Sequence, residues 1–195
     1  MSLDVLSRLY PDPDDPLRIT AGGLWHATPL PVLAAAVPRV EALLFPAGRP
    51  HVLFDAGAGD GRVLAALALG LSATLDVTLL GLECAGPLVE RARAAIAALE
   101  LETSRRPRVE EGSYFERNDY ERLGITPGSL ALVFNYPDGN EVRLLRFLDA
   151  HGGKGTRLLV LSPERSPALD REPLHREAVP SAEGASWSLS LFGLC

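Results

Sequence analysis

The sequence predicts an α/β fold, a doubly wound, mostly parallel sheet of seven strands with a C-terminal antiparallel hairpin. Three observations predict it. A glycine-rich turn follows an apolar strand-like segment at 51–56, strand-like and helix-like segments then alternate up to residue 161, and two further strand-like segments end the chain. Such alternation is typical of a parallel sheet with helices on both faces, and a closing hairpin adds an antiparallel edge.

The segment before the first predicted strand divides into two parts. Residues 10–16 carry three prolines and three aspartates, so we expect residues 1–20 to be extended and residues 1–27 to form an N-terminal arm. A helical pattern covers 28–44, with Thr28 as its N-cap and a proline directly after it. Pro38 is expected to kink or split that helix. The folded domain is therefore predicted to span 28–195.

The glycine-rich turn is the most informative motif of the chain. Asp55 lies in the strand that precedes it, Gly57, Gly59 and Gly61 follow at alternate positions, and a helix is predicted over 63–71. Glycines allow a sharp turn and a close approach of the backbone to a ligand. A turn at the carboxyl end of a strand is where an open α/β sheet binds its ligand. Since no Gly-Lys-Ser/Thr follows, the motif is not a P-loop.

A carboxylate marks the end of the second predicted strand, 76–83. Glu83 occupies that position, Cys84 follows it, and a helix is predicted over 87–99. A carboxylate at the tip of the neighbouring strand can accept hydrogen bonds from both hydroxyls of a ribose. The alternative interpretation is a helix N-terminal acid that interacts favourably with the helix dipole.

The remaining elements follow the same alternation. A third strand ends at Gly112-Ser113, a fourth ends at Asn135, and a helix at 141–150 leads to a fifth strand. The predicted strands are 108–115, 130–134 and 157–161, followed by the hairpin segments 174–179 and 187–191 around a turn at 181–184.

The run Asp55-Ala-Gly57-Ala-Gly59-Asp-Gly61 resembles the first motif of class I S-adenosylmethionine (SAM) dependent methyltransferases. The resemblance covers most of the chain from residue 28. It implies that SAM is the cofactor, that Asp55 and the glycines lie at its methionine end, and that Glu83 holds its ribose. Cys84, Ser113 and Asn135 are expected beside the same cofactor. Where the family often has Gly-Asp, this chain has Gly112-Ser113, which removes a carboxylate near the adenine.

The Thr28-Pro start of the first helix is similar to a lysine-methylating branch of that family. In that branch the helix covers the cofactor, and the threonine hydroxyl lies near the methionine part of SAM. The simpler interpretation of Thr28, an N-cap, is compatible with this role.

The segment Asn135-Tyr136-Pro137-Asp138 follows the fourth strand, where methyltransferases carry out their chemistry. Amino-directed members that act on adenine or glutamine have Asn/Asp-Pro-Pro-Tyr/Phe there. Here Tyr136 replaces the first proline and Asp138 replaces the aromatic residue, which disfavours base or glutamine methylation. We expect Tyr136 to form one wall of the acceptor pocket, and Asn135 or Asp138 to accept a hydrogen bond from the nucleophile. The alternative is a plain turn, for which Pro-Asp-Gly is a strong signal.

These motifs leave three hypotheses open. The first is a SAM-dependent methyltransferase acting on a protein or small-molecule acceptor, with a lysine or small amine favoured. The second is a non-catalytic module that binds SAM or another nucleoside. A third, weaker hypothesis is a nicotinamide-dependent reductase, which Arg62 disfavours because a dinucleotide-binding turn has glycine at that position.

Length, composition and charge limit the domain number, the location and the kinds of partner that we expect. The chain has 195 residues, enough for one domain with a full core. No apolar run is long enough to span a membrane and no signal pattern opens the chain, so a cytoplasmic location is expected. A net charge of −6 disfavours nucleic acid as a partner. The two cysteines and four scattered histidines predict no metal site.

Overall fold

The structure, a computed structural model, describes residues 3–11, 17–20, 23–44, 50–163, 169, 171–180 and 187–194. The helices are α1 (Leu3–Leu9), α2 (Leu30–Leu44), α3 (Arg62–Gly70), α4 (Gly86–Ala97), α5 (Arg117–Arg122) and α6 (Glu141–His151). The strands are β1 (Leu17–Thr20), β2 (Gly23–His26), β3 (His51–Ala56), β4 (Val77–Glu83), β5 (Arg108–Glu111), β6 (Leu132–Asn135), β7 (Arg157–Pro163), β8 (His175–Val179) and β9 (Trp187–Gly193).

The main sheet has seven strands in the order β5-β4-β3-β6-β7-β9-β8. The strands from β5 to β7 in this order are parallel, and β9 pairs antiparallel with both β7 and β8. The predicted fold class is therefore confirmed, including the C-terminal antiparallel strands. The strand order reverses between β3 and β6, and this is the position where open sheets bind their ligands.

Both faces of the central strands β3, β4, β6 and β7 are buried, which explains why these strands are largely apolar. Leu53 packs into a core with α1 to α4, whereas its neighbour Phe54 packs on the opposite face with Tyr120 of α5 and Leu144 of α6. Helices on both faces hold the strands in register, so that the carboxyl ends of β3, β4 and β6 meet at one edge.

The N-terminal segment differs from its prediction. Residues 3–9 form the helix α1 instead of an extended segment, and Leu6 and Tyr10 are fully buried in the same core as α2 and α3. The apolar residues of 3–9 have helical spacing, whereas the prolines that follow them predict an extended segment. Residues 12–16 of the proline-rich loop lie outside the described part of the chain. The division between residues 27 and 28 stays a prediction.

A second small sheet precedes α2. Strands β1 and β2 pair antiparallel, with Ile19 opposite Leu24 and Thr20 opposite Gly23. We call these two strands the N-terminal hairpin; the sequence did not predict it. Helix α2 then begins at Leu30 and runs through Pro38 without a split.

None of the helices within the described ranges combines the length and apolar composition needed to cross a membrane. The predicted turn of the C-terminal hairpin, 181–184, lies outside those ranges.

Candidate functional site

A cavity of about 270 Å³ opens at the carboxyl ends of β3 and β4, beside the loop after β6. It brings together nine of the eleven predicted site residues. These are Thr28, Asp55, Gly57, Gly59, Glu83, Cys84, Ser113, Tyr136 and Asp138. The other two, Gly61 and Asn135, lie next to the cavity but do not line it.

The glycine turn between β3 and α3 has the backbone shape that only glycine adopts freely. Gly57, Gly59 and Gly61 have φ angles of +80°, +54° and +80°. The backbone nitrogens of Gly57 and Ala58 donate to the Leu82 carbonyl at 3.1 and 2.9 Å, so the turn is fixed against β4. Gly61 allows helix packing: a Cβ there would lie 2.9 Å from the Cβ of Ala92.

Glu83 connects the turn to the end of β4. One carboxylate oxygen, Oε2, accepts from the backbone nitrogen of Gly59 at 2.9 Å, and Oε1 accepts from that of Ala85 at 2.8 Å. Each carboxylate oxygen can accept two hydrogen bonds, so one acceptor position is left on Oε2, and the second position on Oε1 is taken by the weakly donating Cys84 thiol. The Cys84 thiol donates to Oε1 at 3.5 Å. Burial, and then the charge of Glu83, raise the pKa of this thiol to about 11.

Asp55 is a buried carboxyl group that lines the cavity. It is 2% exposed, and within the described residues its Oδ2 has no hydrogen-bond partner. Burial, and then the neighbouring carboxylates of Glu83 and Asp60, raise the pKa of Asp55 to about 8. A cationic ligand would stabilise its charged form.

Asp60 and Arg62, on either side of Gly61, form a buried ion pair, and both residues line the cavity. The Arg62 guanidinium donates to both oxygens of Asp60, at 2.8 Å from Nη2 and 3.0 Å from Nε, and Nη1 donates to the Thr28 carbonyl at 3.2 Å. Arg62 therefore connects the start of α2 to the glycine turn. The sequence indicated only that Arg62 argues against a dinucleotide; its partners come from the tertiary structure.

The loop after β6 supplies the opposite side of the cavity. The Tyr136 ring stacks on the His26 ring with centroids 5.3 Å apart, and it lies 5.9 Å from the ring of Trp187. Burial raises the pKa of Tyr136 to about 12. Asn135 is fully buried, and its side-chain nitrogen donates to the Ala56 carbonyl at 3.2 Å. Asn135 thus connects β6 to β3.

Asp138 is paired with Tyr114, an aromatic residue that no sequence motif marked. The Tyr114 hydroxyl donates to Asp138 Oδ2, and the backbone nitrogen of Asn140 donates to Oδ1 at 2.9 Å. Burial, followed by the charge of Asp138, raises the pKa of Tyr114 well above its ordinary value, which keeps the phenol protonated. Instead of one aromatic wall, this side of the cavity has rings from Tyr136, Tyr114 and His26.

Further lining residues come from segments that no motif marked. Trp25 and His26 belong to the N-terminal hairpin, Phe115 follows β5, and Arg143 lies in the first turn of α6. The Arg143 guanidinium lies over the Phe115 ring, 3.9 Å from its centroid. Strand β2 does not alternate apolar and polar residues, so no local pattern pointed to Trp25 or His26.

Two predicted residues, Ser113 and Thr28, are held mainly by structural contacts. The Ser113 backbone nitrogen donates to Asp119 Oδ2 at 2.7 Å, and its hydroxyl accepts from the nitrogen of Phe115 at 3.2 Å. The Thr28 carbonyl accepts from Arg62. Across the described ranges, no three His, Cys, Asp or Glu side chains are grouped in a way that could hold a metal ion.

No protein-family model and no curated protein matches this sequence. Solved structures share its fold. The rRNA methyltransferase AviRa from Streptomyces viridochromogenes matches with a TM-score of 0.63 at 16% identity, over 99% of this chain and 93% of that one. Geranyl diphosphate C-methyltransferase from Streptomyces coelicolor, solved with S-adenosyl-L-homocysteine, matches at 0.58 and 10% identity, over 83% and 76%.

A TehB-like SAM-dependent methyltransferase from Corynebacterium glutamicum matches at 0.53 and 13% identity, over 84% of this chain and 88% of that one. At these identities the likeness concerns the fold. The chain has the α/β fold found in SAM-dependent methyltransferases of several substrate classes.

Proposed function

We propose that this protein is a SAM-dependent methyltransferase. The observation that carries the proposal is the convergence of Asp55, Glu83 and the glycine turn on one cavity. Two carboxyl groups 28 positions apart in the chain lie at the ends of paired strands, and both face the space above the turn. This arrangement suits a ligand with a cationic end and a ribose.

The residues fit the two polar ends of the cofactor. The unpartnered oxygen of Asp55 suits the methionine ammonium group, because a buried carboxylate gains most from a cationic hydrogen-bond donor. Glu83 keeps one open acceptor position on Oε2, and the thiol donor on Oε1 is weak enough for a ribose hydroxyl to replace it. Gly57 leaves room in the cavity, since a Cβ there would lie 3.6 Å from the Tyr114 ring and 3.8 Å from Asp138 Oδ2.

The acceptor is proposed to enter between Tyr136 and Tyr114, toward Asp138. Aromatic faces and a carboxylate favour a lysine side chain or a small amine. Bound SAM supplies an electrophilic methyl group, which the amine nitrogen attacks while the carbon–sulfur bond breaks and sulfur keeps the electron pair. Asp138 would take the proton that the nitrogen loses, and Tyr114, whose hydroxyl donates to Asp138, would orient it.

Incubation with labelled SAM and separate protein, amine and nucleic-acid pools tests this proposal. We expect Asp138→Ala to lower transfer by about 100-fold or more, and Tyr136→Ala to lower it through loss of positioning. Asp76→Asn is the control, because Asp76 is exposed and lies just before β4, at the opposite edge of the sheet. Unchanged rates in both variants, or label confined to nucleic acid, would contradict the amine acceptor. Binding of NAD without binding of SAM would overturn the whole proposal.

One observation favours a second candidate, a non-catalytic SAM- or nucleoside-binding module. Both oxygens of Asp138 already accept hydrogen bonds within the protein, from Tyr114 and from the nitrogen of Asn140. If Asp138 only fixes this loop, the purified protein will bind SAM but form no methylated product with any pool.

A further inference from the structure

The N-terminal hairpin places an indole ring directly on the glycine turn. The ring of Trp25 approaches Gly59 so closely that a Cβ on this glycine would lie 2.3 Å from Nε1 and 2.9 Å from Cδ1 of the indole. Trp25 is 9% exposed, packs with Ala27 and Leu88, and lines the cavity. The edge of the ring at Nε1 and Cδ1 makes the contact with the turn.

The hairpin is fixed on both sides of the cavity. Because side chains alternate along a strand, Trp25 points toward the glycine turn while its neighbour His26 stacks on Tyr136. The backbone nitrogen of Leu24 donates to the Asp138 carbonyl at 3.3 Å. Trp25 is therefore held in position by contacts on the acceptor side of the cavity.

The position of Trp25 relative to the two carboxyl groups suggests what it contacts. Gly59, under the indole, donates to Glu83, where the ribose is expected, and Gly57 lies beside Asp55, where the methionine ammonium group is expected. The sulfonium of SAM lies between its methionine and ribose parts. In SAM bound to these two carboxyl groups, the sulfonium would therefore lie near the indole.

We propose, on the basis of the proposed function, that Trp25 binds the sulfonium of SAM through its indole face. This contact makes the site prefer SAM over S-adenosylhomocysteine. Tryptophan is the strongest aromatic partner for a cation, and the contact strengthens where water is excluded. S-adenosylhomocysteine carries a neutral thioether at the same position. The same residue that holds the methyl donor therefore releases its neutral product more readily.

The test compares the two ligands by calorimetric titration of the parent protein, Trp25→Phe and Trp25→Leu. We expect the ratio of the two dissociation constants, which measures preference for SAM, to fall about 5- to 30-fold in Trp25→Leu. The fall should be smaller in Trp25→Phe, which keeps an aromatic face and serves as the second variant if Trp25→Leu does not fold. Equal weakening of both ligands, or no weakening, would overturn the role of Trp25.

A spectroscopic readout supports the titration. The chain has two tryptophans, so Trp187→Phe leaves Trp25 as the sole indole. In that variant SAM should change the tryptophan fluorescence more than S-adenosylhomocysteine does at saturation; identical changes would contradict the proposal. If the parent protein binds neither ligand, the proposed function fails. If the parent binds SAM and the Trp25 variants keep its ligand preference, this inference alone fails.

Discussion

The Glu83 carboxylate accepts a hydrogen bond from the backbone nitrogen of Gly59 at 2.9 Å. This bond joins the end of β4 to the glycine turn after β3, and it sets the position of the group expected to hold a ribose. The same carboxylate thus shapes the turn and lines the cavity.

We predict that Glu83→Ala weakens SAM binding by about 30- to 150-fold, because a two-point, charge-assisted hydrogen bond contributes about 2–3 kcal/mol. Glu111→Ala is a matched control, since Glu111 pairs with Glu83 in register at the end of the next strand but does not line the cavity. Calorimetry on both variants checks this. Equal SAM affinity in Glu83→Ala and the parent would show that the ribose assignment is wrong.

The raised pKa of Asp55 predicts a pH-dependent stability of the free protein. An unfolded aspartate ionises near pH 4, whereas folded Asp55 keeps its proton up to about pH 8. Its stabilising contribution is therefore fully present below about pH 4 and is lost as pH rises through about 8. Relative to Asp55→Asn, the unfolding free energy of the parent should fall by at most about 1.4 kcal/mol per pH unit over this window.

Urea unfolding of both proteins between about pH 5 and 8 measures that difference. Asp76→Asn provides the comparison for an exposed carboxylate outside the cavity. Parallel pH profiles for the parent and Asp55→Asn would contradict the raised pKa.

The same carboxyl group predicts proton release when SAM binds. Near pH 7 most Asp55 is protonated in the free protein, and a cationic ammonium partner favours the ionised form. Calorimetry in two buffers with different ionisation enthalpies should show up to about one proton released per SAM bound. Asp55→Asn should release none at this position. If the binding heat of the parent protein is the same in both buffers, no proton is released and the ammonium group does not bind Asp55.

The ion pair of Asp60 and Arg62 predicts a large loss of stability when one partner is removed. Their side chains are 1% and 4% exposed, so Arg62→Leu leaves a buried charge whose other cation, Arg91, is 3.9 Å away. We expect a destabilisation of about 3–5 kcal/mol by urea unfolding. Arg93→Leu disrupts an ion pair with Glu110 at the surface and should cost about 1 kcal/mol or less. Similar losses of unfolding free energy in both variants would show that burial of the Asp60–Arg62 pair does not make its disruption more costly.

Gly59→Ala should disrupt the glycine turn in two ways. Alanine at a φ of +54° costs about 1–2 kcal/mol, and its Cβ collides with the Trp25 indole. Gly124→Ala is a matched control, since Gly124 has a φ of +76° and no heavy atom within 4 Å of the added Cβ. We expect both variants to lose stability on thermal unfolding, and only Gly59→Ala to lose SAM binding. Intact SAM binding in Gly59→Ala would show that the turn adapts.

Local patterns in the sequence were sufficient for the seven strands of the main sheet and for one side of the site. Glycines at alternate positions predict a turn, and Glu83 ends β4, the next strand of the sheet along the chain. The central strands β3, β4, β6 and β7 are buried on both faces and are therefore largely apolar, which made them visible in the sequence. The motif residues Asp55, Gly57, Gly59 and Glu83 were brought together as predicted.

Only the tertiary structure decided what covers those residues. Helix α1 is short and polar on one face, and burial of Leu6 and Tyr10 against α2 and α3 stabilises it more than its own helix propensity does. The pairs Trp25–Gly59 and Tyr114–Asp138 join segments whose spacing along the chain carries no periodic signal. Sequence patterns report local conformation and burial, whereas contacts between distant segments depend on the packing of the whole sheet. For that reason the sequence determined the strands and the glycine turn of this protein, and the fold determined the walls of its cavity.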